Sequence, residues 1–410
     1  MNNRIKLYFA NFLVMTAGLW MASCSASDDN LVSDKGADVA KNEKVLTLRI
    51  NTGATSFGSR TTDITTDPGA NAENTINRLT IGIFDQNGTA VKCIKELTET
   101  GTTDKFTKNT GGAVANIVAS SLAVNDKVLV AVNAPSGTFQ GVSTVAQFNA
   151  KTEGTVAALT YTKAAESENT AEESNNIPMY GEGALAKANG NDFSATVPVK
   201  HLLSKVTLES LSVDFEKTGS YKDATFTPTK IFLINEPDVL LFNNDGWETS
   251  AKALFQGYDK ADTQHGTYKE CLTTGNLTGN ALSGDKTSVT TCKFALKYFF
   301  YTMPNNEINT GSKNTKLVIA GNFKSNTGGQ EELVYYPVAL NAVYEEDGTI
   351  KVADKGTDLY KVYPNKNYKC SVVIKMKGAD SPFKDLDPKK AAITVTVTGF
   401  QDVTQQTVFK

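Results

Sequence analysis

The side chains able to do chemistry in this sequence are few and far apart. Its 410 residues include two histidines, His201 and His265, too few for zinc chemistry or a histidine relay. His201 borders an apolar run and reads as a structural residue. Of five cysteines, none falls in a CxxC spacing, so there is no sign of structural zinc or thioredoxin-type redox chemistry. Cys271 and Cys292 flank a stretch rich in Gly and Thr and are the pair best suited to a disulfide, while Cys93 and Cys370 sit in strand-like runs as buried thiols. The sequence contains no GxSxG, HExxH, phosphate-binding GxxxxGK[ST] or dinucleotide fingerprint. Tyr180-Gly181-Glu182-Gly183 lacks the third glycine of a nucleotide loop and follows Pro178, which predicts an ordinary loop. Asn243-Asn244-Asp245-Gly246 has part of a calcium loop without its distal Glu, and predicts a turn. Neither an enzyme, nor a cofactor, nor a bound metal is expected.

Two single residues carry more promise. Arg4 and Lys6 precede an apolar run from Leu7 to Ala22 that is short for a membrane span and has the form of an export signal. It ends Leu19-Trp20-Met21-Ala22-Ser23-Cys24, small residues directly before a cysteine, which is the pattern of a lipoprotein signal whose Cys24 thiol is acylated. Acyl burial would then anchor the chain without a transmembrane helix, and export makes disulfides possible. The second residue stands out by scarcity. Lys and Arg total 41, yet only Arg4, Arg49, Arg60 and Arg78 are arginines. Arg60 lies in a stretch of glycine and hydroxyl residues, Asn51 to Thr62, expected to be exposed and extended, whereas Arg49 lies within a strand pattern and Arg78 directly precedes one. Asp and Glu total 44, giving a net charge of −3, so there is no electrostatic footprint for nucleic acid.

The elements that must position these residues are strands. Threonine makes up about an eighth of the chain and Val is common, which favours β structure. Residues 25 to 44 are polar, charged and aperiodic, a tether behind the lipid. Leu46, Leu48 and Ile50 then alternate with polar neighbours as a short strand. Leu79, Ile81 and Ile83 alternate before the hairpin signal Asn87-Gly88, with a return strand through Val91 and Cys93. Lys127 to Asn133 is apolar on both faces and predicts a central buried strand. Thr144 and Gln147 form a capping box for a short helix to about Asn149. Further strands are expected over Lys230–Ile234, Phe294–Tyr301, Lys316–Ala320 and Leu333–Leu340, and an antiparallel half-buried strand from Tyr368 to Met376.

The last twenty residues are β-prone to the end. Ile393, Val395 and Val397 alternate with threonines, a last strand for their own sheet, and Gln401 to Lys410 continues with little charge and no proline. An exposed segment of that kind invites pairing with another chain, so Gln401, Val403, Gln405, Thr407 and Phe409 are candidates for an intersubunit strand. Length and the run of short strands together predict a mainly β protein of two β-sandwich domains with few short helices.

In order along the chain, the lipobox cysteine, the Ser59-Arg60 loop, LTIGIFDQNG (79–88), VLVAVNAP (128–135), IPMYGEG (177–183), VKHLLSKVTLESLSVDF (199–215), YYPVALN (335–341), YPNKNYKCSVVIKMKG and ITVTVTGF resemble the Bacteroidales fimbrillins, shaft subunits of type V pili. That resemblance implies two transthyretin-like β-sandwich domains, residues 61–205 and 206–410, behind a signal peptide (1–23) and a propeptide (24–60). It implies an outer-membrane lipoprotein precursor, cut by an arginine-specific protease between Arg60 and Thr61, whose mature form stands in an extracellular fimbrium. It also implies a homopolymer of neighbouring subunits, with pilus anchor and tip subunits and host or bacterial surface ligands as further partners. A minor tip or anchor subunit, or a glycan-binding lipoprotein, are the competing readings. Glycan capture would call for exposed aromatics on a flat face, yet the chain has only two tryptophans, Trp20, in the signal, and Trp247.

Overall fold

Alternating apolar residues close into sheets because each strand can hide one face only by stacking against another sheet. In the computed structural model the described residues are 43–52, 73–109, 111–153, 176–188, 190, 192–237, 239–243, 246, 254–256, 275–276, 280–285, 287, 291–294, 298–306, 313–342, 359–384 and 391–399. They form four main sheets, stacked as two pairs, with one short helix.

The first sheet runs β4 (Phe106–Asn109), β5 (Gly112–Ser120), β1 (Glu43–Asn51), β10 (Phe193–Pro198), β9 (Ala186–Lys187). The second runs β11 (Lys200–His201), β8 (Met179–Ala184), β6 (Lys127–Val132), β2 (Arg78–Phe84), β3 (Val91–Thr98). Between them lies a core of Leu46, Leu48 and Ile50 from β1, Ala115 and Ile117 from β5, and Ile81, Ile83, Val128 and Val130 from the opposite sheet.

The second pair begins with β12 (Ser204–Val213), flanked by β18 (Lys293–Phe294) and β19 (Tyr298–Thr302) on one side and by β22 (Lys366–Ile374), then β23 (Ala391–Gly399), on the other. Its facing sheet runs β15 (Leu254–Gln256), β13 (Thr225–Pro237), β20 (Lys316–Lys324), β21 (Glu331–Ala339), with β16 (Gly275–Asn276) and β17 (Leu282–Ser283) also on β13. A two-stranded piece, β7 (Thr152–Glu153) with β14 (Leu240–Leu241), bridges the two pairs.

The β6 pattern has a clear cause. Val128, Val130 and Val132 face the first core, while Leu129 and Ala131 join a second cluster with Phe139 and Phe148 of the covering segment. That cluster continues without a break into the core of the second pair of sheets. Phe148 belongs to α1 (Val145–Asn149), where the Thr144 hydroxyl accepts from the Gln147 N–H at 3.1 Å. The reciprocal half of the capping box shifts by one residue, since Gln147 Oε1 accepts from the Ser143 N–H at 2.8 Å.

Three expectations change. Tyr180 to Gly183 is not a loop but part of β8, paired with β6 from Val132↔Met179 to Lys127↔Ala184. Its glycines serve close approach: a Cβ on Gly181 would lie 2.2 Å from the Pro198 carbonyl oxygen. β22 is antiparallel to β23 but parallel to β12, because alternation reports a buried face and not a neighbour's direction. The stretch 294 to 301 divides into β18 and β19, which pair with opposite ends of β12.

Candidate functional site: the seat of the first strand

β1 is the element whose position has the most consequence. Although it is the first of the described strands, it lies inside its sheet, antiparallel to β5 over nine residue pairs and parallel to β10 over six. Both of its backbone edges are therefore engaged. Leu46, Leu48 and Ile50 point inward at 0, 0 and 2 % exposure. Their same-face neighbours on β5 are Ile117 beside Leu46, Ala115 beside Leu48 and Ala113 beside Ile50. At Leu48, which lies between Ala115 and Ala195, the bulk comes from β1 itself. At about 1.5–3 kcal/mol for each such side chain, the three together are comparable to the whole stability of a small domain.

The strand is held at both ends. Lys44 Nζ donates to the Leu122 carbonyl at 3.0 Å and sits 5.0 Å from the Phe193 ring centre. At the far end the Thr52 N–H and hydroxyl both donate to the Gly111 carbonyl, and Asn51 accepts from the Val199 N–H at 2.8 Å. Gly112 lies against the strand so closely that a Cβ would fall 1.8 Å from the Ile50 carbonyl oxygen. The outer face of β1 carries Val45, Thr47 and Arg49, with Val45 opposite the exposed Val118.

Residues 53–72 are not among the described residues. Cys24, Arg60 and Thr61 lie outside the described residues, as do Cys271, Trp247 and the tail residues Gln401, Val403, Gln405, Thr407 and Phe409. Cys292, Cys93 and Cys370 are buried. The Gly246 N–H donates to Asn243 Oδ1 at 2.7 Å, while Asn244 and Asp245 of the predicted turn lie outside the described residues.

Around Glu73 there is a cluster that the sequence reading missed. Glu73 is buried and makes an ion pair with Lys205 Nζ at 2.7 Å, with the lysine fully buried. The Tyr301 hydroxyl donates to the same carboxylate at 2.6 Å, and His201 Nε2 lies 2.9 Å from the Glu73 carbonyl oxygen, so that nitrogen is the donor. Lys205 also stands 5.0 Å from the Phe299 ring centre. Burial pushes the His201 imidazole down to about 4, leaving it neutral. The clue in the sequence was a lysine inside the run Leu202-Leu203-Ser204-Lys205-Val206, since a buried lysine calls for a paired carboxylate. Among the described residues, no cluster of three or more His, Cys, Asp or Glu could hold a metal ion, and no helix is long and apolar enough to cross a membrane.

Two stacked pairs of sheets, joined by an apolar cluster that runs from the outer face of β6 into the second pair, define a class of β-sandwich protein with known members. A fimbrilin from Porphyromonas gingivalis superposes with a TM-score of 0.56 at 17% identity, covering 89% of this chain and 99% of that one. A candidate cell adhesion protein from Bacteroides eggerthii gives 0.54 at 20% identity, covering 89% and 98%. Another from Parabacteroides distasonis gives 0.55 at 14%, covering 87% and 99%. The chain has the fold of these Bacteroidales fimbrilins and adhesion proteins across nearly its whole length. No protein-family model and no curated protein matches it.

Proposed function

We propose that this chain is a structural pilus subunit, a fimbrillin of the shaft, exported as an outer-membrane lipoprotein through Cys24. An arginine-specific protease cuts between Arg60 and Thr61, removing residues 24–60 and with them β1. The tail of a neighbouring subunit, through Gln401, Val403, Gln405, Thr407 and Phe409, then refills the vacated seat by β-strand addition. Such head-to-tail contacts do not close on themselves and therefore build a filament, to which anchor and tip subunits and surface ligands attach. Residues 61–205 and 206–410 are the two sandwich domains of the mature subunit, the division falling two residues inside β12.

One observation carries this reading: a strand that precedes the proposed cut buries three large apolar side chains in the core of its sandwich and is laddered on both sides. Its loss leaves two unpaired edges and an apolar trench that only another strand of alternating pattern fits. The test is Arg60→Ala in the native host. The variant should remain a full-length lipidated monomer, while a chain ending at Phe400 should be cut but unpolymerised, and wild-type protein sheared from the surface should begin at Thr61. Polymer ladders from Arg60→Ala would overturn the proposal.

A further inference from the structure

The three arginines beyond the signal stand in three different settings. Arg60 is the proposed cutting point. Arg78 opens β2, which is paired with β3 and β6 and not with β1, and its carbonyl accepts from the Asn133 N–H at 2.9 Å. Arg49 is on β1 itself, paired with Val114 on one side and Thr196 on the other. Its side chain is exposed on the outer face while the Arg49–Ile50 peptide bond lies within two ladders.

An endopeptidase grips its substrate as an extended strand, through the same backbone groups that a sheet uses. With both edges of β1 taken, the arginine can be reached but the bond after it cannot, until the strand opens locally or leaves. We propose that Arg49–Ile50 is a second, conditional processing site for the arginine-specific protease, closed while β1 is seated and cut once β1 is displaced. The second site rests on the processing reading above. The step is a hydrolysis: water adds across the Arg49 C–N bond, leaving a carboxylate on Arg49 and an ammonium on Ile50.

The consequence is that release becomes irreversible. The nick separates Leu46 and Leu48 from Ile50, so two short pieces must bind where one strand bound, without the gain of being linked. Re-seating them would also place two new charged ends in mid-ladder, with the ammonium on a residue that is 2 % exposed. The displaced strand therefore stops competing for its own seat.

The full-length chain is treated with an endopeptidase that cuts after arginine, and fragments are followed by mass spectrometry with and without urea sufficient to release β1. Cleavage at Arg49–Ile50 should be slower than at Arg60 by roughly 100-fold or more while β1 is seated, and should accelerate in step with β1 release. An Arg49→Lys chain should shed an intact propeptide and polymerise more slowly than wild type, because the whole strand can return. Equal cutting at Arg49 and Arg60 in the native chain would overturn the proposal, as would an Arg49 bond that survives strand release, or equal polymerisation of wild type and Arg49→Lys. If Arg60 is never cut, the processing reading falls, while the urea series still decides whether the Arg49 bond is gated by β1.

Discussion

At the scale of single residues, two buried titratable groups set opposite pH limits. His201 is held neutral at about 4, below its ordinary 6.5, so its contribution to stability is complete above pH 6.5 and is lost as pH falls toward 4. The full cost is about 3 kcal/mol. Burial pushes the Glu236 carboxyl up to about 8. Its contribution is complete below pH 4.5 and is lost as pH rises through 8. His201→Gln should flatten the acid limb of a melting-temperature profile between pH 4 and 6.5, and Glu236→Gln the limb between 4.5 and 8. Profiles unchanged from wild type would show that neither group titrates as its burial requires. His201 could be read as structural from its apolar flank, but Glu73 and Lys205 could not be matched in advance, since 132 residues of chain separate them and only the fold sets their 2.7 Å contact.

At the scale of elements, the alternation of Leu46, Leu48 and Ile50 was enough to place a strand and to name its inward face. What alternation cannot report is rank within a sheet. β1 looks like any half-buried strand, and its two neighbours come from 112–120 and 193–198, far along the chain. The double-faced apolar run of β6 did disclose its central place, because both faces must be covered for such a run to be stable. β8 was misread because Gly181 and Gly183 look like turn residues, whereas their missing side chains admit the Pro198 carbonyl and Val197. The same steric logic gives a test on β1. Gly112→Ala would set a methyl group against the Ile50 carbonyl and should loosen the strand by about 1–3 kcal/mol. Hydrogen exchange should then speed up at the amides of residues 46–51 while those of β6 keep their protection. Uniform change across both strands would mean that the defect is not local to the seat.

At the scale of the whole molecule, the two pairs of sheets are joined by more than a linker. One apolar cluster runs from Phe84 and Phe148 through Leu240 and Phe242 to Tyr336 and Ile374, and Glu73 crosses to Lys205 and Tyr301 of the second pair. Lys205→Met would strand the Glu73 carboxylate in a dry site and should cost about 3–5 kcal/mol. The double change Glu73→Gln with Lys205→Met should recover much of that. Urea unfolding of the four corners of the cycle measures the coupling, and additive losses would show that the ion pair is incidental.

The double ladder around β1 also has a mechanical meaning. A strand at the rim of a sheet can be peeled away one pair at a time by a pull at its end. A strand gripped by a parallel neighbour on one side and an antiparallel neighbour on the other, and pulled along its own axis, must slide past both and load all its pairs together. Under the proposed assembly, a neighbour's strand seated there would be braced against shear, and tension along the filament would be resisted where it passes from one subunit to the next.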